Sequence, residues 1–162
     1  MLFRSLENHA DVESLSTRES VASIELPKLN AVLNFDSTKK GSIDQIQLAN
    51  GKMPVEADEI AGPPALFERL DVVPEIGQKF QIPLRIQGGK VENYDFTITG
   101  ILEQTDISKL NVNETRLVYG AFVSEKFVEQ HIAPEDRTYT AYIRIVNENK
   151  HSKDEIETII SE

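Results

Sequence analysis

The chain has 162 residues, of which 40% are hydrophobic and 27% charged, and it contains no cysteine. This length suits one compact domain or two small lobes, and the lack of cysteine excludes disulfides and thiolate metal sites. The formal charge of −10 would repel nucleic acid and anionic lipids, and we expect it mainly to keep the protein soluble. No apolar run approaches the roughly 20 residues of a membrane span. We also expect no signal peptide, because the N-terminus lacks an apolar core region.

The first 35 residues predict one short helix and two strands. Leu2, Phe3 and Leu6 recur at helical spacing and predict an amphipathic helix that ends at about the ninth residue. Apolar and β-branched residues predict strands over residues 20–26 and 31–35. Both strands precede segments rich in proline, aspartate, serine or glycine, which typically end regular structure.

A turn and a proline-bounded helix are predicted next. Residues 36–41 are expected to form a turn, and residues 43–48 a further extended piece. Pro63-Pro64 is well placed to begin a helix because a first-turn proline loses no intrahelical hydrogen bond, and Pro74 ends it. Five apolar residues predict the buried stripe of this helix: Ala65, Leu66, Phe67, Leu70 and Val73.

Two strands with matching alternation predict a β-hairpin over Gly88-Gly89. The first strand would turn one face of four apolar residues inward: Phe80, Ile82, Leu84 and Ile86. The second would do the same with a face of aromatic and aliphatic residues: Tyr94, Phe96, Ile98 and Leu102.

Two strand–helix pairs are predicted at the back of the chain. After a polar loop over residues 103–115, a strand over residues 116–123 leads to a helix that Ser124 can cap. A strand over residues 138–146 precedes a last helix, which begins at the capping-box pattern of residues 152–155. The elements together predict an α+β fold.

No motif in the sequence supplies a metal, nucleotide or catalytic site. His9, His131 and His151 lie far apart without the spacing of a metal site, and there is no glycine-rich nucleotide loop. The adjacent carboxylates of Asp58 and Glu59 leave an acidic-dyad hydrolase as the least favoured hypothesis. We expect Glu59 instead to accept backbone hydrogen bonds from the turn that follows it. The sequence therefore predicts no enzyme, no cofactor and no metal.

The most distinctive stretch covers residues 51–102. It contains in order Gly51-Lys52-Met53-Pro54, Asp58-Glu59-Ile60, a helix, Ile76-Gly77-Gln78, and a strand pair that ends in Phe96-Thr97-Ile98-Thr99-Gly100-Ile101. This order resembles the MacB-like periplasmic core domain of MacB/FtsX-type ABC transporter permeases. We define six of its residues as the structural signature: Gly51, Pro54, Glu59, Ile60, Gly77 and Gly100. The two later glycines are expected to serve backbone geometry, a turn at Gly77 and a bulge or close approach at Gly100.

The resemblance implies a single extracytoplasmic domain of two lobes over residues 1–162. A membrane-proximal α/β lobe would contain residues 1–44 and 133–162, and a strand-rich distal lobe residues 45–132. The domain would stand on the extracellular or periplasmic face of a bacterial cell membrane, as part of an integral membrane protein. Its implied task is mechanotransmission: without catalysis of its own, it would couple ATP-driven motion of membrane helices to substrate or partner handling outside.

The resemblance also implies partners. A cytoplasmic ATP-binding subunit would act through membrane helices, a second permease subunit could pair with the chain, and outside the membrane it could meet a peptide, a lipoprotein or a wall hydrolase. The candidate interaction surface consists of Asp106, Leu110 and Asn113 in the polar loop and Phe67 on the helix. The alternative is a free-standing β-rich binding module that is not attached to a permease.

Overall fold

The computed structural model describes residues 2–40, 47–103 and 119–146. Within these ranges the fold is mixed α/β, with three short α-helices and eight β-strands. The helices are α1 (Leu2–Asn8), α2 (Pro64–Arg69) and α3 (Glu125–His131). The strands are β1 (Val12–Ile24), β2 (Ala31–Lys40), β3 (Leu48–Gly51), β4 (Glu59–Gly62), β5 (Lys79–Ile86), β6 (Val91–Leu102), β7 (Tyr119–Val123) and β8 (Thr140–Ile145). Among the described residues no helix has the length and hydrophobicity needed to cross a membrane.

The chain divides into two compact units. The first unit contains Met1–Arg18, Asp36–Gln45 and Tyr139–Glu162, and the second contains Glu19–Phe35 and Ile46–Thr138. The chain therefore passes from one unit to the other within β1 and again within β2. The two lobes implied by the sequence, and their placement towards and away from a membrane, stay a prediction.

A mixed sheet organises the second unit. Its strand order is β2-β7-β4-β6-β5-β1, and β3 also pairs with β6. β2 runs parallel to β7 and β4 parallel to β6, whereas the pairs β4–β7, β5–β6 and β3–β6 are antiparallel. Phe67 of α2, Phe80, Phe96 and Phe127 of α3 form a continuous row in the core, with successive ring centroids 5.9, 6.4 and 5.6 Å apart. Helices α2 and α3 are thus held to the sheet through buried aromatic side chains.

The predicted hairpin is confirmed. β5 and β6 pair antiparallel from Lys79 opposite Thr97 to Arg85 opposite Val91. The turn lies one residue earlier than the predicted Gly88-Gly89, at Gln87 and Gly88, whose φ angles are 40° and 74°. Positive φ at both central positions fits the tight turns that match the twist of paired strands.

The first unit has its own small core. The beginning of β1 pairs antiparallel with β8, from Val12 opposite Ile145 to Arg18 opposite Thr140. Leu6 of α1 is buried against Val12, Leu15 and Ile145. The predicted N-terminal helix is confirmed as α1, and the strand predicted over residues 138–146 is confirmed as β8.

Three predicted boundaries are wrong. The strand predicted over residues 20–26 begins eight residues earlier, at Val12, and the turn predicted from Asp36 is strand up to Lys40. Asp36 is accommodated in a strand because its carboxylate pairs with Arg18. Helix α2 ends at Arg69, because Asp71 adopts a φ of 57° that a helix cannot contain. Val73 is consequently 53% exposed rather than part of the buried stripe.

Three sequence predictions lie outside the described residues. They are the extended piece at residues 43–46, the polar loop from residue 104 onward, and the last helix after residue 151. The strand predicted over residues 116–123 is confirmed for its described part, which is β7.

Candidate functional site

Gly51 and Gly100 lie opposite each other in β3 and β6, where the two backbones approach too closely for a side chain. A Cβ on Gly51 would lie 2.1 Å from the carbonyl oxygen of Thr99, and one on Gly100 would lie 2.5 Å from that of Lys52. The backbone N–H of Lys52 donates to the Thr99 oxygen at 2.8 Å. Gly100 therefore stands at a close backbone approach, one of the two geometries that the sequence predicts for it.

Gly77 occupies the turn before β5. Its φ is 90°, and its N–H donates to the carbonyl oxygen of Ile98 at 2.8 Å. A Cβ at this position would meet nothing within 4 Å, so the backbone angle alone favours glycine here. Ile60 is fully buried opposite Ile98. Gly51, Ile60, Gly77 and Gly100 thus gather around residues 98–100 of β6.

The carboxylate of Glu59 closes the turn that precedes β4. One of its oxygens, Oε2, accepts hydrogen bonds from the backbone N–H groups of Val55 at 2.6 Å and Glu56 at 2.9 Å. The Lys52 ammonium lies 3.7 Å from the other oxygen. Glu59 therefore binds the backbone directly after Pro54, which precedes Glu59 in the chain, and not the turn that follows it. The prediction that Glu59 accepts hydrogen bonds from the residues after it is wrong, because those residues belong to β4, which pairs with β6 on one side and β7 on the other.

The surroundings of Glu59 keep it ionised. Burial raises the pKa of its carboxyl group, but the N–H donors of Val55 and Glu56 and the charge of Lys52 lower it further than burial raises it. The net pKa lies below the ordinary value. A general acid at neutral pH needs a raised pKa, whereas the pKa of Glu59 is lowered. The structure thus supports an architectural role for Glu59 over the acidic-dyad hypothesis.

The same turn is fastened to α3. The Ser124 hydroxyl donates to the carbonyl oxygen of Glu56 at 2.8 Å and accepts from the backbone N–H of Phe127 at 3.2 Å. The Lys126 ammonium lies 2.8 Å from both carboxylate oxygens of Glu56. The predicted helix cap at Ser124 is confirmed. Its second bond was not foreseen, since nothing in the sequence indicates which distant carbonyl a capping hydroxyl will meet.

Exposed apolar side chains accompany this architecture. Leu48, Val55 and Ile76 are 38%, 54% and 45% exposed. Ile76 covers Gly51, because its Cδ1 lies 2.6 Å from the position that a Gly51 Cβ would take. Leu48 begins strand β3, Val55 donates its N–H to Glu59, and Ile76 lies in the turn whose Gly77 N–H binds Ile98, so each apolar group is carried by a hydrogen-bonded backbone.

The predicted interaction residues do not form one surface in the described structure. Phe67 is fully buried in the core, beside Phe80, and cannot contact a partner there. This part of the prediction is wrong because Phe67 lies on the inward face of α2. Asp106, Leu110 and Asn113 lie outside the described residues.

Within the described ranges, no group of three or more His, Cys, Asp and Glu side chains could hold a metal ion. His131 packs its ring against those of Phe127 and Tyr94, with centroids 4.5 and 5.2 Å away. Burial lowers the pKa of His131, although the nearby Glu92 opposes that effect. His131 therefore extends the aromatic packing of α3.

No known protein-family profile matches the sequence, and no curated protein matches it. The fold is nevertheless similar to that of domains that ABC-type transporters carry on the outer side of a membrane. One such structure is the extracellular domain of the noncanonic ABC-type transporter YknZ from Gram-positive bacteria, with a TM-score of 0.53, 11% identity, and coverage of 98% of this chain and 75% of that one. Another is the periplasmic region of MacB from Actinobacillus actinomycetemcomitans, with a TM-score of 0.54 and 9% identity. The similarity covers 98% of this chain and 69% of that one. At such identities the similarity concerns the fold.

Proposed function

We propose that this chain is the extracellular or periplasmic domain of an ABC transporter permease. The observation that carries the proposal is the fold that nearly the whole chain shares with the outer domains of YknZ and MacB. The order of signature residues between Gly51 and Gly100 supports the same class independently of the fold comparison.

In the proposed role the domain performs no chemistry. It couples ATP-driven motion of membrane helices to events outside the membrane, which is mechanotransmission. The turn before β4 suits such a task, since Glu59 holds it from within and Ser124 fastens it to α3. A relay of motion requires segments that keep their shape while they move, and a turn held by several hydrogen bonds does so.

The proposal implies two sets of partners. On the cytoplasmic side a separate ATP-binding subunit supplies the energy, and a second permease subunit completes the transporter. On the outer side the partner is a peptide, a lipoprotein or a wall hydrolase. The net charge of −10 disfavours nucleic acid and anionic lipid surfaces as partners.

The test is purification of the native-length protein from its own cells. Membranes are solubilised in mild detergent, the protein is captured through an affinity tag, and co-purified proteins are identified by mass spectrometry. We expect an ABC ATP-binding subunit in near-equal amount, and none from an untagged strain. Recovery in the soluble fraction without any ATP-binding protein would refute the proposal and favour the free-standing binding module.

A further inference from the structure

Asn50 is the one asparagine in the sequence that directly precedes a glycine. Asn50 and Gly51 end strand β3, and both residues are exposed. The Gly51 N–H donates to Asn50 Oδ1 at 2.8 Å, so the side-chain amide of Asn50 lies against the backbone nitrogen that follows it. That nitrogen is the atom that attacks an asparagine side chain in deamidation, and glycine hinders the attack least because it has no Cβ.

The Gly51 N–H is not engaged in the hydrogen-bond ladder between β3 and β6. Gly51 lies opposite Gly100, and the N–H of the next residue, Lys52, donates to the carbonyl oxygen of Thr99. In an antiparallel ladder this bond makes Gly51 and Gly100 a pair that exchanges no N–H···O bonds with each other. The Gly51 N–H therefore points away from β6 and towards the Asn50 side chain.

Strand β3 holds the backbone of Asn50 only loosely. The strand has four residues, all of them exposed, and its pairing with β6 is irregular between Leu48 and Asn50. A short, exposed strand with such an irregularity opens locally at a low cost in free energy. The small backbone rotation that brings the Gly51 nitrogen onto the Asn50 side chain is thus available without unfolding of the domain.

We propose that Asn50 is a site of spontaneous deamidation and that one of its products detaches β3 from β6. The Gly51 nitrogen passes its proton to the solvent and forms a bond to Asn50 Cγ. The Cγ–Nδ2 bond breaks, and Nδ2 takes up a proton and leaves as ammonia. Water then opens the cyclic imide at either carbonyl, which gives aspartate or isoaspartate at position 50. The net reaction exchanges ammonia for water, needs no oxidant or cofactor, and does not depend on the proposed function.

The isoaspartate product changes the length of the backbone. It carries the main chain through its Cβ, which adds one atom between residues 50 and 51. The backbones of β3 and β6 are already so close that a Cβ on Gly51 would lie 2.1 Å from the Thr99 oxygen. The longer link cannot keep Gly51 opposite Gly100 and also keep the hydrogen bond from Lys52 to Thr99. The aspartate product leaves the main chain, and therefore the pairing, unchanged.

The reaction is tested on the purified whole chain, kept in neutral buffer for weeks and sampled by peptide mapping with mass spectrometry. Asn93, which is exposed in β6 and precedes Tyr94, is the internal control. We expect Asn50 to react about tenfold faster than Asn93, because the Gly51 nitrogen is unhindered, and to give both aspartate and isoaspartate. No reaction at Asn50, a rate equal to that of Asn93, reaction only in urea, or aspartate without isoaspartate would each overturn the site.

The detachment of β3 is tested by hydrogen–deuterium exchange on the isoaspartate form, separated from the unreacted chain by chromatography. The matched control is Asn50→Asp, which introduces the same charge without the additional backbone atom. We expect the Lys52 N–H to exchange about tenfold faster in the isoaspartate form, and at the rate of the unreacted chain in Asn50→Asp. Equal protection in all three forms, or an equal loss of protection in Asn50→Asp, would refute the detachment of β3.

Discussion

The close approach of β3 to β6 leads to a quantitative expectation for Gly51→Ala. Gly51 has a φ of 77°, and a residue with a Cβ pays about 1–2 kcal/mol for such a left-handed conformation. The new Cβ would lie 2.1 Å from the Thr99 oxygen, so β3 must move away. That movement weakens the hydrogen bond from Lys52 to Thr99, which contributes about 1 kcal/mol. Stiffening of the unfolded chain returns about 0.4–1 kcal/mol, which leaves a net loss of about 2 kcal/mol.

Gly88→Ala is the matched control. Gly88 has a φ of 74°, close to that of Gly51, but a Cβ there would meet nothing within 4 Å. Its cost is therefore limited to the conformational part and should be about 1 kcal/mol after the gain in the unfolded state. The difference between the two variants isolates the contact between the backbones.

The assay is urea denaturation followed by far-ultraviolet circular dichroism, since the chain has no tryptophan. Gly51→Ala should lower the midpoint without changing the slope of the free energy with urea, because the exposed surface on unfolding stays the same. The reasoning is refuted if Gly51→Ala loses no more stability than Gly88→Ala.

Three further substitutions test the turn and the core by the same assay. Glu59→Gln should cost about 1–2 kcal/mol at pH 7, because two charge-assisted hydrogen bonds lose their ionised acceptor. The folded pKa of Glu59 lies below its ordinary value of 4.5, so this stabilisation is complete above pH 4.5 and is lost as the pH falls through the folded pKa. The difference in stability between the wild type and Glu59→Gln should therefore disappear in acid. A difference that does not depend on pH would contradict the role assigned to the Glu59 carboxylate. Ser124→Ala should cost about 1–2 kcal/mol, since the cap and the bond to Glu56 are lost together; a neutral effect would show that neither bond matters. Phe67→Ala should cost about 3–5 kcal/mol as a core truncation, whereas a surface role would leave stability almost unchanged.

Local patterns predicted the elements that depend on local physics. The β5–β6 hairpin has strict alternation and a glycine turn, and Ser124 stands before an apolar helical stripe, so both were correct. The helix begun by Pro64 was also found, although its end was placed too late, because a left-handed Asp71 leaves no pattern in the sequence.

The failures occur where distant contacts override local preference. Ser14 to Thr17 in β1 are all buried, so this part of the strand lacks the alternation that would reveal it. Asp36 is a turn former by preference, yet its pairing with Arg18, 18 residues earlier, allows β2 to continue. The turn before β4 was predicted only in part. The sequence indicated that Glu59 accepts backbone hydrogen bonds, but not that the donors precede it in the chain. A carboxylate can satisfy donors on either side, and only the pairing of β4 decides between them.

The central proposal is that this chain lies on the outer side of a membrane, and the accessibility of the chain from outside the cell tests it directly. The chain has no cysteine, so Glu135→Cys, at an exposed position in the turn Pro134–Asp136, introduces one thiol into it. The native-length protein is produced in its own cells, which are converted to protoplasts or spheroplasts and treated with a membrane-impermeant maleimide; the unsubstituted protein gives the background. We expect labelling as complete as that after permeabilisation. Labelling that occurs only after permeabilisation would contradict the account.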